Sequence, residues 1–171
     1  MSLTIRSGVG IPPAGLIERF FGPMRSVLLV WRDVSRSVPV EITSWWRDPT
    51  RNVATGGAEY SQHLVGTAVD ARSPGLTRNQ LLVLAQRAAS RYSGVTVPTA
   101  GSDTSGTSVH VQGLPTGFVR TIVTREPTLI ASAQAFIGPA RPIVAAPVVP
   151  RLTWPPSAAQ STGQPGGGFN Y

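Results

Sequence analysis

The stretch Ser61–Asp70, SQHLVGTAVD, brings a histidine, a glycine, an alanine and an aspartate into ten residues. Gly66 can adopt a positive φ, so the chain can reverse direction there. The residues after it alternate as in a strand, which places Ala68 and Asp70 on the same face. We therefore expect Asp70 to project toward His63, with the small Ala68 leaving space beside it.

A second stretch, Ser108–Gln112 (SVHVQ), carries the other histidine of the chain. Val109 and Val111 would point into the core, which leaves His110 on the opposite face. Together with the histidine and aspartate of the first stretch, it makes a set of two imidazoles and one carboxylate. Three such ligands with a fourth position open for water are typical of catalytic rather than structural zinc. The predicted Zn²⁺ ligands are His63, Asp70 and His110.

Both stretches resemble the peptidase M15 family, the zinc D-Ala-D-Ala carboxypeptidases and L-alanyl-D-glutamate endopeptidases, whose fold is shared with the hedgehog signalling domain. Upstream, ITSWWRDPTRNVATGGAEYSQH (Ile42–His63) is similar to the family's approach to its first ligand, a T-S-x-x-R followed by N-x-x-x-G-G. The resemblance covers Val38–Val111. It implies an α+β fold, with a small antiparallel sheet and flanking helices. It also implies zinc-dependent cleavage of a peptidoglycan stem peptide next to a D-amino acid.

The resemblance also implies roles for residues near the ligands. Arg47 would hold a substrate carboxylate as a bidentate fork, the alternative being a solvated surface arginine. Trp46 would form a wall of the substrate groove, the alternative being a tryptophan that caps the core. Ser61 would lie beside the site and support it through hydrogen bonds. The sequence does not favour a serine nucleophile, because no third histidine exists to act as its base.

The chain departs from the family at the positions that supply the general base. Relatives carry an acidic residue three positions before the last histidine or an aspartate two positions after it. Here those positions hold Thr107 and Gln112. Asp103 is the nearest substitute and our predicted base, and Glu59 is a more distant candidate. A zinc peptidase needs such a group to deprotonate water and to protonate the leaving amine.

Composition limits the other function classes. The chain has 171 residues, enough for one domain with extensions, and a formal net charge of +7. All of its basic residues are arginines, which suit a polyanionic partner, although a GC-rich genome also explains the missing lysines. Because the arginines are dispersed and no reading motif is present, nucleic-acid binding ranks last. Without cysteine, disulfides and thiolate zinc sites are excluded.

Hydropathy predicts neither a signal peptide nor a membrane span. Met1–Gly10 lacks an apolar core of the length that a signal peptide needs. No stretch approaches the roughly 20 apolar residues of a transmembrane helix. We therefore expect the protein in a host cytoplasm or a virion, acting at the bacterial cell wall.

Three segments are predicted along the chain: an N-terminal arm (1–23), the family-like domain (24–125) and a proline- and glycine-rich extension (126–171). Within the domain and its approach, the patterns predict the following elements: a helical turn or two over Ala14–Phe21 broken at Gly22-Pro23, a helix over Met24–Ser35, a strand over Val40–Ser44, a loop over Asp48–Tyr60, a helix over Arg78–Ser90 capped by Thr77, and strands over Gly94–Val97, Val109–Val111 and Phe118–Val123.

The extension differs in composition from the rest of the chain. Half of the sixteen prolines follow Glu126, and no acidic residue does. We predict a short helix over Leu129–Phe136, an extended segment over Pro139–Pro156 and a linker-like tail after it. Such a tail would dock on a partner, for example in a virion assembly, or remain disordered.

Two classes of function thus stay open. The first is a peptidoglycan peptidase of the carboxypeptidase or endopeptidase type, in a bacteriophage setting as an endolysin or virion protein. The second is a peptidase-like domain that has lost catalysis and serves as a structural virion or cell-wall-binding component. The missing acids favour the second, and the intact ligand set favours the first.

Overall fold

Four strands form one sheet in the computed structural model, which describes residues 2–99 and 106–130. They are β1 (Leu3–Ile5), β2 (Val40–Ser44), β3 (Ala68–Arg72) and β4 (Val109–Gln112), and they lie in the order β1-β2-β3-β4. The pairs β2–β3 and β3–β4 are antiparallel, as predicted, whereas β1 pairs with β2 in parallel. The α+β class is confirmed, and the sheet is mixed rather than purely antiparallel.

Four helices accompany the sheet in the described part of the chain: α1 (Ala14–Val34), α2 (Pro49–Ala54), α3 (Arg78–Ala89) and α4 (Thr116–Arg125). A short 3₁₀ helix, Gln62–Val65, precedes β3. The predicted cap of α3 is present: the Thr77 hydroxyl accepts from the Gln80 N–H, and the Gln80 side chain accepts from the Thr77 N–H. This reciprocal capping box satisfies two of the orphan donors at the helix start.

The main core lies between the sheet and helices α1 and α3. Its buried side chains recur at helical spacing along α1 and at every second position of β3 and β4, so each element turns one apolar face inward. Among them are Val27, Trp31, Val69, Leu81 and Val111. The alternation in β3 and β4 leaves the other face of these two strands to Ala68 and to polar residues, and the candidate site lies on that face.

Helix α1 is longer than the sequence predicted. It runs through Gly22 and Pro23, where a break was expected, and its non-helical backbone lies at Phe20 (φ −116°, ψ 24°). A proline clashes with the carbonyl four residues before it and removes one helical hydrogen bond. The distortion therefore falls in the turn before Pro23, and the helix resumes after it.

Three local predictions are wrong. The strand expected over Phe118–Val123 is part of α4, where Val119 and Ile122 are buried at helical spacing. The loop expected over Asp48–Tyr60 contains α2, which starts because the Asp48 carboxylate accepts from the Arg51 N–H at 2.9 Å. In place of a strand over Gly94–Val97, a single bridge pairs Thr96 with Gln112.

The segment predicted as an N-terminal arm contributes β1 and the first turns of α1. At the other end, residues 127–130 are helical. The remainder of the predicted helix Leu129–Phe136, the segment Pro139–Pro156 and the tail lie outside the described residues, as does Asp103. Among the described residues, no helix combines the length and apolar character needed to cross a membrane.

Candidate metal centre

The first predicted ligand, His63, is held by a capped 3₁₀ turn. Ser61 caps this turn, and its hydroxyl accepts from the His63 N–H at 3.3 Å. Gly66 ends the turn with φ +75°, as expected. A Cβ at Gly66 would lie 2.6 Å from Pro12 Cγ and 2.8 Å from Met24 Cε, so glycine is required there by both conformation and space.

The other two ligands face each other across the β3–β4 ladder. Asp70 and His110 are register partners in that antiparallel pair, and they lie on the face opposite the core valines. His110 Nδ1 is 2.7 Å from Asp70 Oδ1, and His63 Nε2 is 3.1 Å from Asp70 Oδ2. The structure thus brings the three predicted ligands together, with one ligand atom of each within 4.8 Å of the others.

All three side chains are withdrawn from water, with residue exposures of 2% for His63, 1% for Asp70 and 7% for His110. Burial lowers the pKa of His63 and outweighs the opposing attraction of Asp70. Burial alone would raise the pKa of Asp70, but the His63 and His110 rings outweigh it and hold that pKa well below its usual range. The set therefore presents an ionised carboxylate to two imidazole rings.

The His63 ring has a defined tautomer. Its Nδ1 contacts the Trp45 carbonyl oxygen, which can only accept, so Nδ1 carries the proton. Nε2 then bears a lone pair directed toward the Asp70 carboxylate. With the proton on Nδ1, this buried Nε2 has no hydrogen to donate to Asp70 Oδ2 at 3.1 Å, and it makes no hydrogen bond in the described part of the chain.

A cation between His63 Nε2 and the Asp70 carboxylate would remove the repulsion between them. A lone pair and an ionised carboxylate 3.1 Å apart, both buried, repel each other unless a proton or a metal ion lies between them. Two imidazole nitrogens and one carboxylate oxygen form a donor set that suits Zn²⁺ with an open position. The residues present therefore fit a zinc ion.

Arg47 contacts the candidate ligand Asp70 directly. Its Nη2 donates to Asp70 Oδ2 at 2.8 Å, and its Nε donates to Ser44 Oγ at 2.9 Å. The Arg47 side chain is 12% exposed, so it is not the solvated surface arginine of the alternative interpretation. Its guanidinium therefore lies at the edge of the site and helps to orient the carboxylate.

The two tryptophans that precede Arg47 differ in position. Trp46 is 5% exposed and belongs to a second apolar cluster with Val65 and residues of α4, and its Nε1 donates to the Leu64 carbonyl at 3.1 Å. This is the placement of a core tryptophan, one of the two alternatives. Trp45 is the one that touches the site, through its carbonyl oxygen.

Apart from Ser61, the sequence did not indicate the partners that orient the ligands. A backbone carbonyl such as that of Trp45 leaves no trace in a residue pattern. Gln112, whose Oε1 lies 3.1 Å from His110 Nε2, could have been found from its position two residues along the same strand. Of the candidate bases, Glu59 is described and exposed, whereas Asp103 lies outside the described residues.

Comparison with known proteins gives one finding. A family model described as Peptidase M15 matches residues 17–112, more than half of the chain. The match begins within α1 and includes all three candidate ligands. Comparisons with curated proteins and with solved structures gave no match.

Proposed function

Because the chain belongs to the peptidase M15 family, we propose that it is a zinc-dependent peptidase that cuts peptidoglycan stem peptides next to a D-amino acid. The observation that carries this proposal is the buried group His63, Asp70 and His110 with its unpartnered Nε2. A purely structural domain has no need of two imidazoles held against one carboxylate at a sheet edge. The bond could be that of a D,D-carboxypeptidase or of an L-alanyl-D-glutamate endopeptidase.

In this proposal the three ligands would hold the zinc. A bound zinc ion would supply Lewis acidity, which polarises a peptide carbonyl and lowers the pKa of a water molecule. The chain's own contribution is a rigid donor set, because the β3–β4 ladder fixes two ligands and the Ser61-capped turn fixes the third. Burial keeps competing water away from the charged groups.

We assign substrate positioning to Arg47. A guanidinium carries five N–H donors, so its bonds to Ser44 and Asp70 do not by themselves preclude a further bond to a substrate carboxylate. Ser61 would support the site through the His63 backbone rather than touch the substrate. The role of general base is assigned to Asp103, which would take a proton from water and return it to the leaving amine.

The biological setting is proposed on context. The peptidoglycan stem peptide is the substrate partner, and the proline-rich extension would serve as an attachment to a protein assembly. We place the protein in a bacteriophage life cycle, in the host cytoplasm or the virion, with action at the bacterial cell wall. Nucleic acid is not assigned as a partner.

Metal content and product analysis test the proposal. Purified wild-type protein and His110→Ala are compared for zinc per chain, and both are then incubated with purified peptidoglycan whose soluble fragments are identified by mass. We expect one zinc per wild-type chain, its loss in His110→Ala, and new termini only with wild type. Asp103→Ala should keep its zinc and lose the cleavage. A wild-type chain without zinc would sink the proposal.

A second candidate is a degenerate peptidase-like module that binds cell wall without cutting it. The observation that favours it is the occupation of two positions by Thr107 and Gln112 where an acid would serve as base. This candidate predicts zinc binding and co-sedimentation with peptidoglycan, but no new termini under any metal loading. The product analysis above therefore separates the two.

A further inference from the structure

We infer that Gln112 is a positioning residue for His110: its amide oxygen, 3.1 Å from Nε2, accepts the proton of the metal-binding tautomer and thereby raises the zinc affinity of the centre. The inference rests on the proposed function, because it concerns the ligand set that would hold the zinc. It assigns a role to Gln112, which occupies the position at which relatives carry an aspartate as candidate general base.

The contact joins two side chains on one face of β4. Gln112 follows His110 by two positions, so both project from the same side of the strand. Gln112 Oε1 lies 3.1 Å from His110 Nε2, and His110 Nδ1 lies 2.7 Å from Asp70 Oδ1. The imidazole is therefore held between an amide oxygen on one nitrogen and the carboxylate on the other.

The position of the imidazole proton decides which ring nitrogen can bind a metal. A neutral imidazole has one N–H, and both of its neighbours here offer oxygen acceptors. With the proton on Nε2, the bond to Gln112 is made, and the Nδ1 lone pair faces the carboxylate side, where a metal would bind. With the proton on Nδ1, an N–H would occupy the coordination direction. In the metal-free chain the Asp70 carboxylate competes for the proton on Nδ1, and once a metal takes Nδ1 the Gln112 oxygen accepts the Nε2–H. Gln112 therefore stabilises the tautomer that binds metal.

The same logic holds at the other histidine, where the Trp45 carbonyl keeps the proton of His63 on Nδ1 and its Nε2 faces Asp70. Each imidazole thus has an oxygen acceptor on its far side and the carboxylate on its near side. Metal-ligating histidines commonly donate their second N–H to such an acceptor, and loss of the acceptor costs about 10–100-fold in metal affinity. One acceptor is backbone, and only Gln112 can be altered by mutation.

The backbone of Gln112 is anchored on both sides. It pairs with Ala68 of β3, and it exchanges two hydrogen bonds with Thr96, at 3.0 Å and 2.8 Å. A residue clamped in this way presents its side chain from a fixed position. The Gln112 amide is therefore a preorganised acceptor, which is the property that a positioning role requires.

Three variants test the role. Gln112→Met keeps the length of the side chain and removes the acceptor, and Gln112→Glu keeps an acceptor oxygen. Gln80→Met is the matched control because, among the described residues, the hydrogen bonds of the Gln80 side chain are those with Thr77 in the capping box of α3. Zinc dissociation constants are measured by competition with a chelator of known affinity. We expect about 10–100-fold weaker binding for Gln112→Met. Gln112→Glu and Gln80→Met should bind zinc as tightly as wild type or, for the glutamate, more tightly.

Nitrogen-15 NMR of the zinc-loaded wild type gives a readout that a merely structural role would not move. We expect His110 to carry its proton on Nε2 and its metal on Nδ1. The reverse assignment overturns the inference, whether or not Gln112→Met folds. Equal zinc affinity in wild type and folded Gln112→Met overturns it too and leaves the proposed function intact. A wild type that binds no zinc removes the proposed function itself.

Discussion

Two carboxylates of this protein can be compared directly, one in a buried residue and one in a half-buried residue. Asp70 lies in the candidate metal centre, and Asp33 lies near the end of α1, with side-chain exposures of 2% and 7%. Both have pKa values below the usual range: the Tyr92 hydroxyl, 2.6 Å away, is the main cause at Asp33, and the two histidines are the cause at Asp70. The two sites therefore stabilise an ionised carboxylate in different ways.

Their partners explain why only one is a candidate metal centre. Around Asp33 the contacts come from guanidinium groups of Arg36, Arg32 and Arg91 at 3.4–3.6 Å, which are permanent cations and offer no lone pair. Around Asp70 two imidazoles can each present a lone pair. Asp70 also has an arginine, Arg47 at 2.8 Å, but its two imidazoles offer lone pairs that can bind a metal ion together with the carboxylate, whereas the guanidinium groups around Asp33 cannot.

Removal of the Asp70 carboxylate should have the largest effect on either site. Asp70→Ala leaves the Arg47 guanidinium, only 12% exposed, without its carboxylate partner and removes a zinc ligand. Breaking a buried pair from one side costs about 3–5 kcal/mol. We expect a loss of this size in urea unfolding of the metal-free protein, together with loss of zinc binding. A variant as stable as wild type would show that the carboxylate contributes nothing to the metal-free fold.

Zinc binding should have the second-largest effect on stability. This effect should depend on the site around Asp70 and not on Asp33. A ligand that binds only the folded state at 100 times its dissociation constant adds about 2.7 kcal/mol of stability. We expect this gain in wild type and in Asp33→Asn, and none in His63→Ala. Thermal unfolding with zinc and with a chelator measures it. A zinc-dependent shift that survives in His63→Ala would locate the metal elsewhere.

The contribution of Asp33 to the free energy of unfolding should depend on pH. A hydrogen bond to a charged group is worth about 1.5–3 kcal/mol, so Asp33→Asn should destabilise the protein by about 2 kcal/mol at pH 7. Because the folded pKa of Asp33 is depressed, its stabilisation is complete above the ordinary aspartate pKa of about 3.9 and is lost as the pH falls through the folded value. The difference between wild type and variant should therefore shrink from pH 6 to pH 2.

Both samples contain a chelator, so that release of zinc at low pH does not affect the comparison of wild type with Asp33→Asn. A constant difference over the whole pH range would contradict the assignment of the effect to the Asp33 charge. Tyr92→Phe, which removes the donor and keeps the carboxylate, should weaken the same pH dependence.

The sequence predicted the parts of the fold that bury side chains in a regular pattern. Strand β2 and helix α3 were placed within a residue of their ends, because alternation or a capping box marks them. Strand β1 was missed because its three residues are all exposed and give no alternation to read. Helix α4 was mistaken for a strand because the apolar cluster over Phe118–Val123 is too short to distinguish a period of 2 from one of 3.6.

The candidate ligands were predictable for a different reason. Only two histidines exist in the chain, and each stands in a motif with a strand-like neighbour, so residue type and spacing were enough to group them with Asp70. Of their supporting contacts, that of Ser61 was predicted and the others were not. The Trp45 carbonyl is backbone, and the bond between Arg47 and Asp70 depends on the ladder bringing together residues 23 positions apart.

The smallest effect that we expect is that of replacing Arg36, an exposed arginine beside Asp33. Arg36 lies 3.4 Å from Asp33 with 68% of its side chain exposed, and such solvent-exposed pairs contribute about 0–1 kcal/mol. Arg36→Ala should therefore cost less than 1 kcal/mol in urea unfolding at low salt, and the cost should shrink further in 1 M salt, because exposed charges are screened. Zinc affinity should stay at its wild-type value. A larger, salt-independent loss would mean that the arginines around Asp33 act as a buried network like that of Asp70, and the distinction between the two carboxylates would then rest on the lone pairs of the histidines alone.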